Sequence, residues 1–352
     1  MFSDTHFHFK MMTTERGEAC ANGPEVLTQM AKNNCFFGLD IGTDADDLLV
    51  RQSCIEKAIA SMQDQNAADK ARKFIYFTAG IWPNVEDIHN RQERVELLKQ
   101  NILAAQNDTE TDTLNRKIIA VGECGLDHHW NPSGADGRCE SDFDQATYQG
   151  EKELFKMQIQ LAKEMNLPVI VHSRDAFEDT LKCIKEVGYH NGIIHCYSYG
   201  LKEAQSFLDL GWYISLSGSV TYTKKNKMEE MEKMIQSIPN HRLLCETDAP
   251  YLAPVPMRGK TNTPILVEHT YNFVAACKTS LGLAWKAGIA AEVLSTPQNS
   301  IGKELFESKT FMETTDLFAW TVTVILLSIC MEKLFFTLLR LLLRTTHTGG
   351  NL

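Results

Sequence analysis

Asp4-Thr5-His6-Phe7-His8 stands near the start of the chain, in a segment that we interpret as the first β-strand. Side chains alternate across a strand, so His6 and His8 lie on one face, about 7 Å apart along the chain. Two imidazoles at that spacing can bind one metal ion together. The same pattern also occurs in strands that bind no ion, so the remainder of the chain has to decide between these interpretations.

After this strand, short apolar runs alternate with helical segments. The alternation predicts parallel strands covered by helices, and eight units are the number in a (β/α)8 TIM barrel, an α/β fold. A doubly wound open sheet is the alternative, but no Gly-x-Gly-x-x-Gly follows the first strand. The further predicted strands are Cys35–Ile41, Lys73–Ala79, Lys117–Val121, Pro168–His172, Gly192–Cys196, Trp212–Leu216 and Arg242–Glu246. The helices between them are Pro24–Asn34, Asp44–Ser61, Val85–Gln106, Glu151–Asn166, Asp175–Val187, Leu201–Leu210 and Lys227–Ile238.

The C-terminal part of the chain divides into closing helices and a hydrophobic tail. We expect extra helices at Pro264–Ser280, Ala284–Val293 and Pro297–Phe306, which end a barrel domain at residues 1–307. In the extension 308–352, the first uncharged run is shorter than the roughly 18–20 residues that span a bilayer. A helix docked on the barrel, a membrane contact through residues 317–343, and a disordered or atypical chain end all fit this tail. A polar stretch, Asn131–Gln149, predicts a long functional loop.

The composition limits the classes of protein to which the chain can belong. The chain has 352 residues, 43% hydrophobic and 23% charged, as in ordinary folded proteins. A net charge of −10 argues against a protein that coats nucleic acid through a broad basic surface. Ten cysteines without a C-x-x-C pair predict buried, reduced thiols in a cytoplasmic protein, and no secretory signal is visible.

Residues with metal-ligand chemistry follow the predicted strands at the ends where barrels carry their active sites. Imidazoles and carboxylates suit zinc, manganese or iron, and carboxylate-rich sites also accept magnesium. The set is large enough for two ions that lower the pKa of a bound water, with Glu123 as a bridging ligand. Asp248 would bind one ion, position the water and accept its proton, so Glu123 and Asp248 are the predicted catalytic residues. The candidate ligands are His6, His8, Glu123, His172, His195 and Asp248.

Cationic residues near the last strand suggest an anionic substrate. Arg258 and Lys260 flank a glycine in the loop after that strand, where barrel enzymes often bind phosphate, and Arg174 follows His172. Asn262 completes the candidate substrate-binding set. Because no Gly-x-Ser-x-Gly or Walker motif is present, we expect the nucleophile to be metal-activated water.

Six motifs in a fixed order resemble the TatD family of metal-dependent deoxyribonucleases, within the amidohydrolase-type barrels. Together they are highly specific, and the resemblance covers about residues 1–307. The motifs are Asp4-Thr5-His6-Phe7-His8, Gly122-Glu123-Cys124-Gly125-Leu126-Asp127, His172-Ser173-Arg174, His195-Cys196-Tyr197, Glu246-Thr247-Asp248-Ala249-Pro250-Tyr251-Leu252 and Arg258-Gly259-Lys260-Thr261-Asn262.

The resemblance implies a two-metal centre that hydrolyses DNA phosphodiesters at ends or in single strands, often as a 3′–5′ exonuclease. It implies two divalent ions per subunit, usually magnesium, with manganese or zinc as alternatives. One ion would be held by His6, His8, Glu123 and Asp248, and the other by Glu123, His172 and His195. Two departures bear on the substrate: Met257 stands where the family often has histidine, and His128-His129-Trp130 follows Gly-Leu-Asp. No protein partner is predicted.

Other functions fit the same residues. An ester hydrolase, such as a D-aminoacyl-tRNA deacylase, would use the same two-metal centre. An amide hydrolase is less well matched, because Glu123 stands where a lysine could be carbamylated. A third alternative is a non-enzymatic scaffold anchored by its tail. In such a protein the complete set of candidate metal ligands would have no function.

Overall fold

The computed structural model of the protein describes residues 1–107, 117–129 and 138–348. Eight strands form one sheet in sequential order, and each neighbouring pair is parallel. The predicted TIM barrel is confirmed. The strands are β1 Phe2–Phe7, β2 Cys35–Asp40, β3 Ile75–Ala79, β4 Ile118–Asp127, β5 Val169–Arg174, β6 Gly192–Ile194, β7 Tyr213–Leu216 and β8 Leu243–Cys245.

The barrel closes between β1 and the segment that follows β8. A parallel bridge pairs Phe7 with Ala249, and the Asp248 amide donates a hydrogen bond to the His6 carbonyl at 2.8 Å. The buried Asp4 carboxylate accepts bonds from the Thr247 amide at 3.0 Å and from the Thr247 hydroxyl at 2.5 Å. Closure therefore joins the first and last predicted ligand motifs directly.

The helices follow the strands along the chain in the expected order, with several differences. The short helix α1 and the helix α4 were not predicted, and α4, whose N-terminus is capped by the Asp64 side chain, includes the first two residues of the predicted third strand. The predicted Val85–Gln106 helix is divided into α5 and α6. Residues 131–137 of the predicted loop lie outside the described residues, and α7 begins earlier than predicted. The helices are α1 Phe9–Thr13, α2 Gly23–Lys32, α3 Leu48–Ala60, α4 Gln65–Phe74, α5 Val85–His89, α6 Arg91–Asn107, α7 Gln145–Met165, α8 Phe177–Val187, α9 Leu201–Asp209, α10 Met228–Ser237, α11 Val267–Ser295, α12 Ile301–Thr310 and α13 Thr314–Thr348.

The strand β4 is long because glycine lets it approach β5 closely. Gly125 has φ +151°, and a Cβ there would lie 1.8 Å from the His172 carbonyl oxygen. A side chain at this position would separate the two strands that carry Glu123 and His172. In the core, Leu39, Ile41, Ala120 and Ile170 form one buried cluster.

The chain separates into two compact units. The first comprises Met1–Lys225 and Ile238–Asn272, and the second comprises Asn226–Ser237 and Phe273–Leu352. The predicted division at residues 307 and 308 stays a prediction. In the second unit, the two predicted apolar runs of the tail belong to one continuous helix, α13, whose segment Thr314–Met331 is long and apolar enough to cross a membrane.

The cysteines differ from the expectation that all are reduced. Cys20 and Cys54 form a disulfide with their Cα atoms 5.9 Å apart, which is a usual separation for such a bond. The sequence did not predict this disulfide, because the two residues are 34 positions apart and meet only when the segment after α1 folds onto α3. The cysteines outside this disulfide are Cys35, Cys124, Cys139, Cys183, Cys196, Cys245, Cys277 and Cys330.

Thr247→Val should lower the free energy of unfolding by about 1–3 kcal/mol, because it leaves the buried Asp4 carboxylate without its hydroxyl donor. Urea unfolding of the metal-depleted protein measures the change. Thr270→Val is the matched control, since Thr270 is fully buried and its hydroxyl has no hydrogen-bond partner among the described residues. Equal effects of the two substitutions would contradict a special role of the Asp4–Thr247 contact.

Candidate metal centre

The first group of candidate ligands combines β1 with the segment after β8. His6 and His8 are buried, and their Nε2 atoms lie 3.6 and 3.5 Å from Asp248 Oδ1. Asp248 has φ +57°, a left-handed conformation that aspartate tolerates better than most residues. One carboxylate oxygen thus faces two imidazole nitrogens, a donor set that fits a divalent ion.

A second group shares His6 and adds residues from β4 and the end of β6. Glu123 Oε2 lies 3.1 Å from His6 Nε2 and 3.0 Å from His195 Nε2. The imidazoles of His6 and His195 stack with ring centroids 3.9 Å apart. Because His6 belongs to both groups and Glu123 contacts His6 and His195, the two groups form one continuous cluster.

His172 lies beside this cluster but belongs to neither group. Its Nε2 is 3.0 Å from Asp127 Oδ2, and its Nδ1 is 3.2 Å from His195 Nε2. The contact with the Asp127 carboxylate favours the tautomer protonated at Nε2, so the Nδ1 lone pair faces the cluster. The role of His172 as a ligand stays a prediction.

The hydrogen bonding of the cluster tests whether a cation fits. Among the described residues, five buried atoms of the cluster lack hydrogen-bond partners: His6 Nε2, Glu123 Oε2, His6 Nδ1, His8 Nδ1 and His195 Nδ1. His6 Nε2 and Glu123 Oε2 are within ion-pair distance, but their relative direction does not make a hydrogen bond. Unpaired buried polar atoms are costly, and a divalent ion would satisfy both facing atoms. The donor set therefore fits a metal.

The electrostatics of the cluster favour charged ligands. Burial alone would raise the pKa of Glu123, but His195 and His6 hold this pKa well below its usual value. Burial likewise opposes the ionisation of Asp248, yet the hydrogen bond with His8 and the charge of His6 lower its pKa. Both carboxylates are therefore ionised at neutral pH, as metal ligands must be.

Three supporting acids were not among the predicted site residues. Asp127 contacts His172, and Glu246 Oε1 lies 3.4 Å from His195 Nδ1 while its Oε2 accepts from the Ser215 hydroxyl. Burial raises the pKa of Asp4, which contacts Thr247, to about 8. All three stand inside the quoted motifs, two or four residues from a candidate ligand, and that proximity was the available signal. Their contacts orient ligands or close the barrel.

The four predicted substrate residues have different surroundings. Arg174, Arg258 and Lys260 are exposed, and the Arg258 guanidinium lies 4.3 Å from the centre of the Tyr222 ring. Asn262 is fully buried, and its amide donates to the carbonyls of Thr247 and Tyr251 at 2.8 and 2.7 Å. These bonds hold the loop after β8 together, so a positioning role describes Asn262 better than the predicted substrate contact.

Comparison with known proteins identifies the family. The family model described as TatD related DNase matches residues 3–293. The chain belongs to this family. A protein of Bacillus subtilis (strain 168) named uncharacterized metal-dependent hydrolase YabD is 34% identical over 246 residues, which is 67% of this chain and 86% of that protein. This member of the TatD related DNase family is therefore a metal-dependent hydrolase.

Two further comparisons also match proteins named TatD or TatD homologue. The 3'-5' ssDNA/RNA exonuclease TatD of Rahnella sp. (strain Y9602) is 31% identical over 61% of this chain and 74% of its own length. The solved structure of YJJV, a TatD homologue from Escherichia coli K12, covers 78% of this chain and 90% of its own, with a TM-score of 0.60 and 24% identity. At that identity the structure supports the fold alone.

Asp127→Asn should weaken the binding of manganese to metal-depleted protein by about 10–100-fold, because the neutral amide no longer orients His172. Isothermal titration calorimetry measures the affinity. Asp69→Asn, an exposed acid on α4, is the control. Unchanged affinity in Asp127→Asn would show that His172 does not depend on this carboxylate.

Proposed function

We propose that this hydrolase cleaves phosphodiester bonds at the ends of DNA strands, with 3′–5′ polarity, using two divalent ions, of which magnesium is the preferred choice and manganese or zinc the alternatives. The observation that carries the proposal is the continuous cluster of His6, His8, Glu123, His195 and Asp248 with unpaired buried donors. The name of the Rahnella relative, an exonuclease on single-stranded DNA and RNA, supports the choice of substrate.

The residues divide the work as follows. When bound, divalent ions supply an activated water and neutralise phosphate charge. The ionised Asp248 carboxylate orients the attacking water and accepts its proton, and Glu123 joins the two ligand groups. We assign His6, His8, His172 and His195 to metal binding.

Cationic groups next to the centre favour a phosphate substrate. Arg258 lies on the loop that begins with Asp248, and stacking against Tyr222 holds its guanidinium, with the Tyr222 hydroxyl donating to the Ala253 carbonyl at 2.6 Å. A guanidinium held in this way can bind phosphate oxygens in a bidentate manner. Tyr251 lies edge-on to His8 with ring centroids 6.3 Å apart and is 54% exposed, so it can stack on a base.

Asp248→Ala should abolish the release of mononucleotides from single-stranded DNA, because it removes a metal ligand and the proton acceptor. The assay adds magnesium, manganese or zinc to metal-depleted protein and follows deacylation of a D-aminoacyl-tRNA in parallel. General acid–base groups alone contribute about 10²–10⁴-fold, so the loss should be at least that large.

The control is Asp69→Asn, which should keep full activity. Metal-dependent deacylation without nucleotide release would replace the nuclease by an ester hydrolase on the same centre. Activity of a clean Asp248→Ala preparation equal to that of the wild type would refute the mechanism.

We also propose that α13 contacts a membrane. Only 6% of its segment Thr314–Met331 is buried, unlike the core helix of a soluble domain, and Phe318, Ile325 and Leu326 are 72%, 51% and 57% exposed. The chain beyond this segment carries Lys333, Arg340 and Arg344 and a single acid, Glu332, which suits anionic headgroups.

Phe318→Glu/Ile325→Glu should prevent flotation of the protein with phosphatidylserine-containing vesicles, because each substitution places a charge on the apolar helix. Leu294→Glu/Phe311→Glu is the matched control, since these residues are also exposed and apolar but precede α13. If the wild type floats as weakly as Phe318→Glu/Ile325→Glu, the proposed membrane contact is wrong.

A further inference from the structure

The loops around the carboxyl ends of the strands divide sharply by charge. The loops after β7 and β8, residues 217–225 and 246–263, contain four cations, and their acids, Glu246 and Asp248, both belong to the metal centre. The loops after β2 and β3, residues 41–47 and 80–90, contain five acids and no lysine or arginine. In a chain of net charge −10, a cationic surface without exposed acids beside the metal centre is unexpected.

The cationic side is one continuous surface, which we call the basic lip: Lys224, Lys225, Arg258 and Lys260. All four side chains are exposed. The two loops are joined, because the Val255 amide donates to the Thr221 hydroxyl at 2.9 Å and Arg258 stacks on Tyr222.

The basic lip is attached to the metal centre at two points. The loop after β8 begins at Asp248 itself. In the loop after β7, the Ser217 hydroxyl lies 3.2 Å from Cys196 Sγ, next to His195. The loops that carry these cations are therefore joined to the cluster, so the cations can hold phosphates that follow one bound there.

The acidic side, which we call the acidic wall, consists of Asp44, Asp46, Glu86 and Asp87. These residues line a cleft of about 770 Å³. Arg94 from α6 pairs with Asp44 and Asp87 and lies 3.8 Å from Asp46. One guanidinium cannot neutralise four carboxylates, and Asp46 and Glu86 remain exposed.

The acidic wall also adjoins the metal centre. The Glu123 amide donates to the Gly42 carbonyl at 2.8 Å, and Asp44 is two residues further along, within about 8 Å of chain. On the other loop, Trp82 lies edge-on to His172, with ring centroids 6.1 Å apart. A phosphate chain that crossed the centre toward this side would come within about one Debye length of several carboxylates.

We propose that the substrate strand lies on the basic lip and that the acidic wall prevents it from continuing across the metal centre, so that the site accepts strand ends. The proposal rests on the nuclease function proposed above and adds the physical basis for its preference for ends. It assigns Lys224 and Lys225 to substrate binding and Asp46 and Glu86 to substrate selection.

The test compares a linear single-stranded oligonucleotide with the same sequence closed into a circle. The wild type should release nucleotides from the linear form and cleave the circle far more slowly, which gives a low but measurable circle-to-linear ratio. Asp46→Asn/Glu86→Gln should raise cleavage of the circle relative to the linear form by about tenfold, because the repulsion that excludes an internal phosphate is removed. Asp69→Asn/Glu164→Gln, two exposed acids on α4 and α7, is the matched control and should keep the wild-type ratio.

A second measurement tests the basic lip. Lys224→Gln/Lys225→Gln should reduce the slope of log kcat/KM against log salt by about 1.4, since each phosphate contact contributes about 0.7 on a single strand. Lys32→Gln/Lys57→Gln, two exposed lysines on α2 and α3, should leave the slope unchanged. Thermal melting confirms that all variants are folded.

The outcomes separate the two proposals. An active enzyme whose circle-to-linear ratio is unchanged in Asp46→Asn/Glu86→Gln would overturn the acidic wall and leave the nuclease function standing. An unchanged salt slope in Lys224→Gln/Lys225→Gln would likewise overturn the basic lip. Failure of the wild type to cleave linear DNA with any metal would overturn the nuclease function, and this proposal with it.

Discussion

The closure of the barrel between β1 and the segment after β8 is the contact on which the site depends. The described ladder between these segments is short, a single bridge between Phe7 and Ala249. Its weakness is offset by the buried Asp4 carboxylate, which binds both the amide and the hydroxyl of Thr247. Because His6 follows Asp4 and Asp248 follows Thr247, the same contact that closes the fold brings two candidate metal ligands to 3.6 Å.

The interior of this protein is polar where an ordinary barrel would be apolar. Buried histidines and carboxylates are costly unless each donor and acceptor is satisfied, and several atoms of the cluster are not. A bound cation would remove this cost, so metal affinity and stability are coupled in this fold. The acids Asp127 and Glu246 contribute to metal affinity and to stability. Asp127 contacts the imidazole of His172, and Glu246 contacts the imidazole of His195.

An acidic protein can still act on a polyanion if its charges are segregated. The basic lip and the acidic wall lie on loops that a TIM barrel allows to vary independently, because the strands alone determine the fold. The lip attracts the substrate and the wall limits its path, so the net charge of −10 is compatible with a nuclease. Family membership explains only part of this arrangement, since Arg258 and Lys260 stand within a family motif, whereas Lys224, Lys225 and the acids of the wall belong to loops between the motifs.

The sequence by itself determined the barrel and the candidate ligands, because strand and helix periodicities are local properties and barrel sites lie at strand ends. It could not determine what meets across the barrel. The pairing of Asp4 with Thr247, the contact of Asp127 with His172 and the Cys20–Cys54 disulfide join residues 34 to 243 positions apart. Asn262 is a further example. Its motif suggested a substrate contact, whereas in the folded chain its buried amide donates hydrogen bonds to two backbone carbonyls. Local patterns select the elements, but the partners of a buried polar group are decided only when the chain is folded.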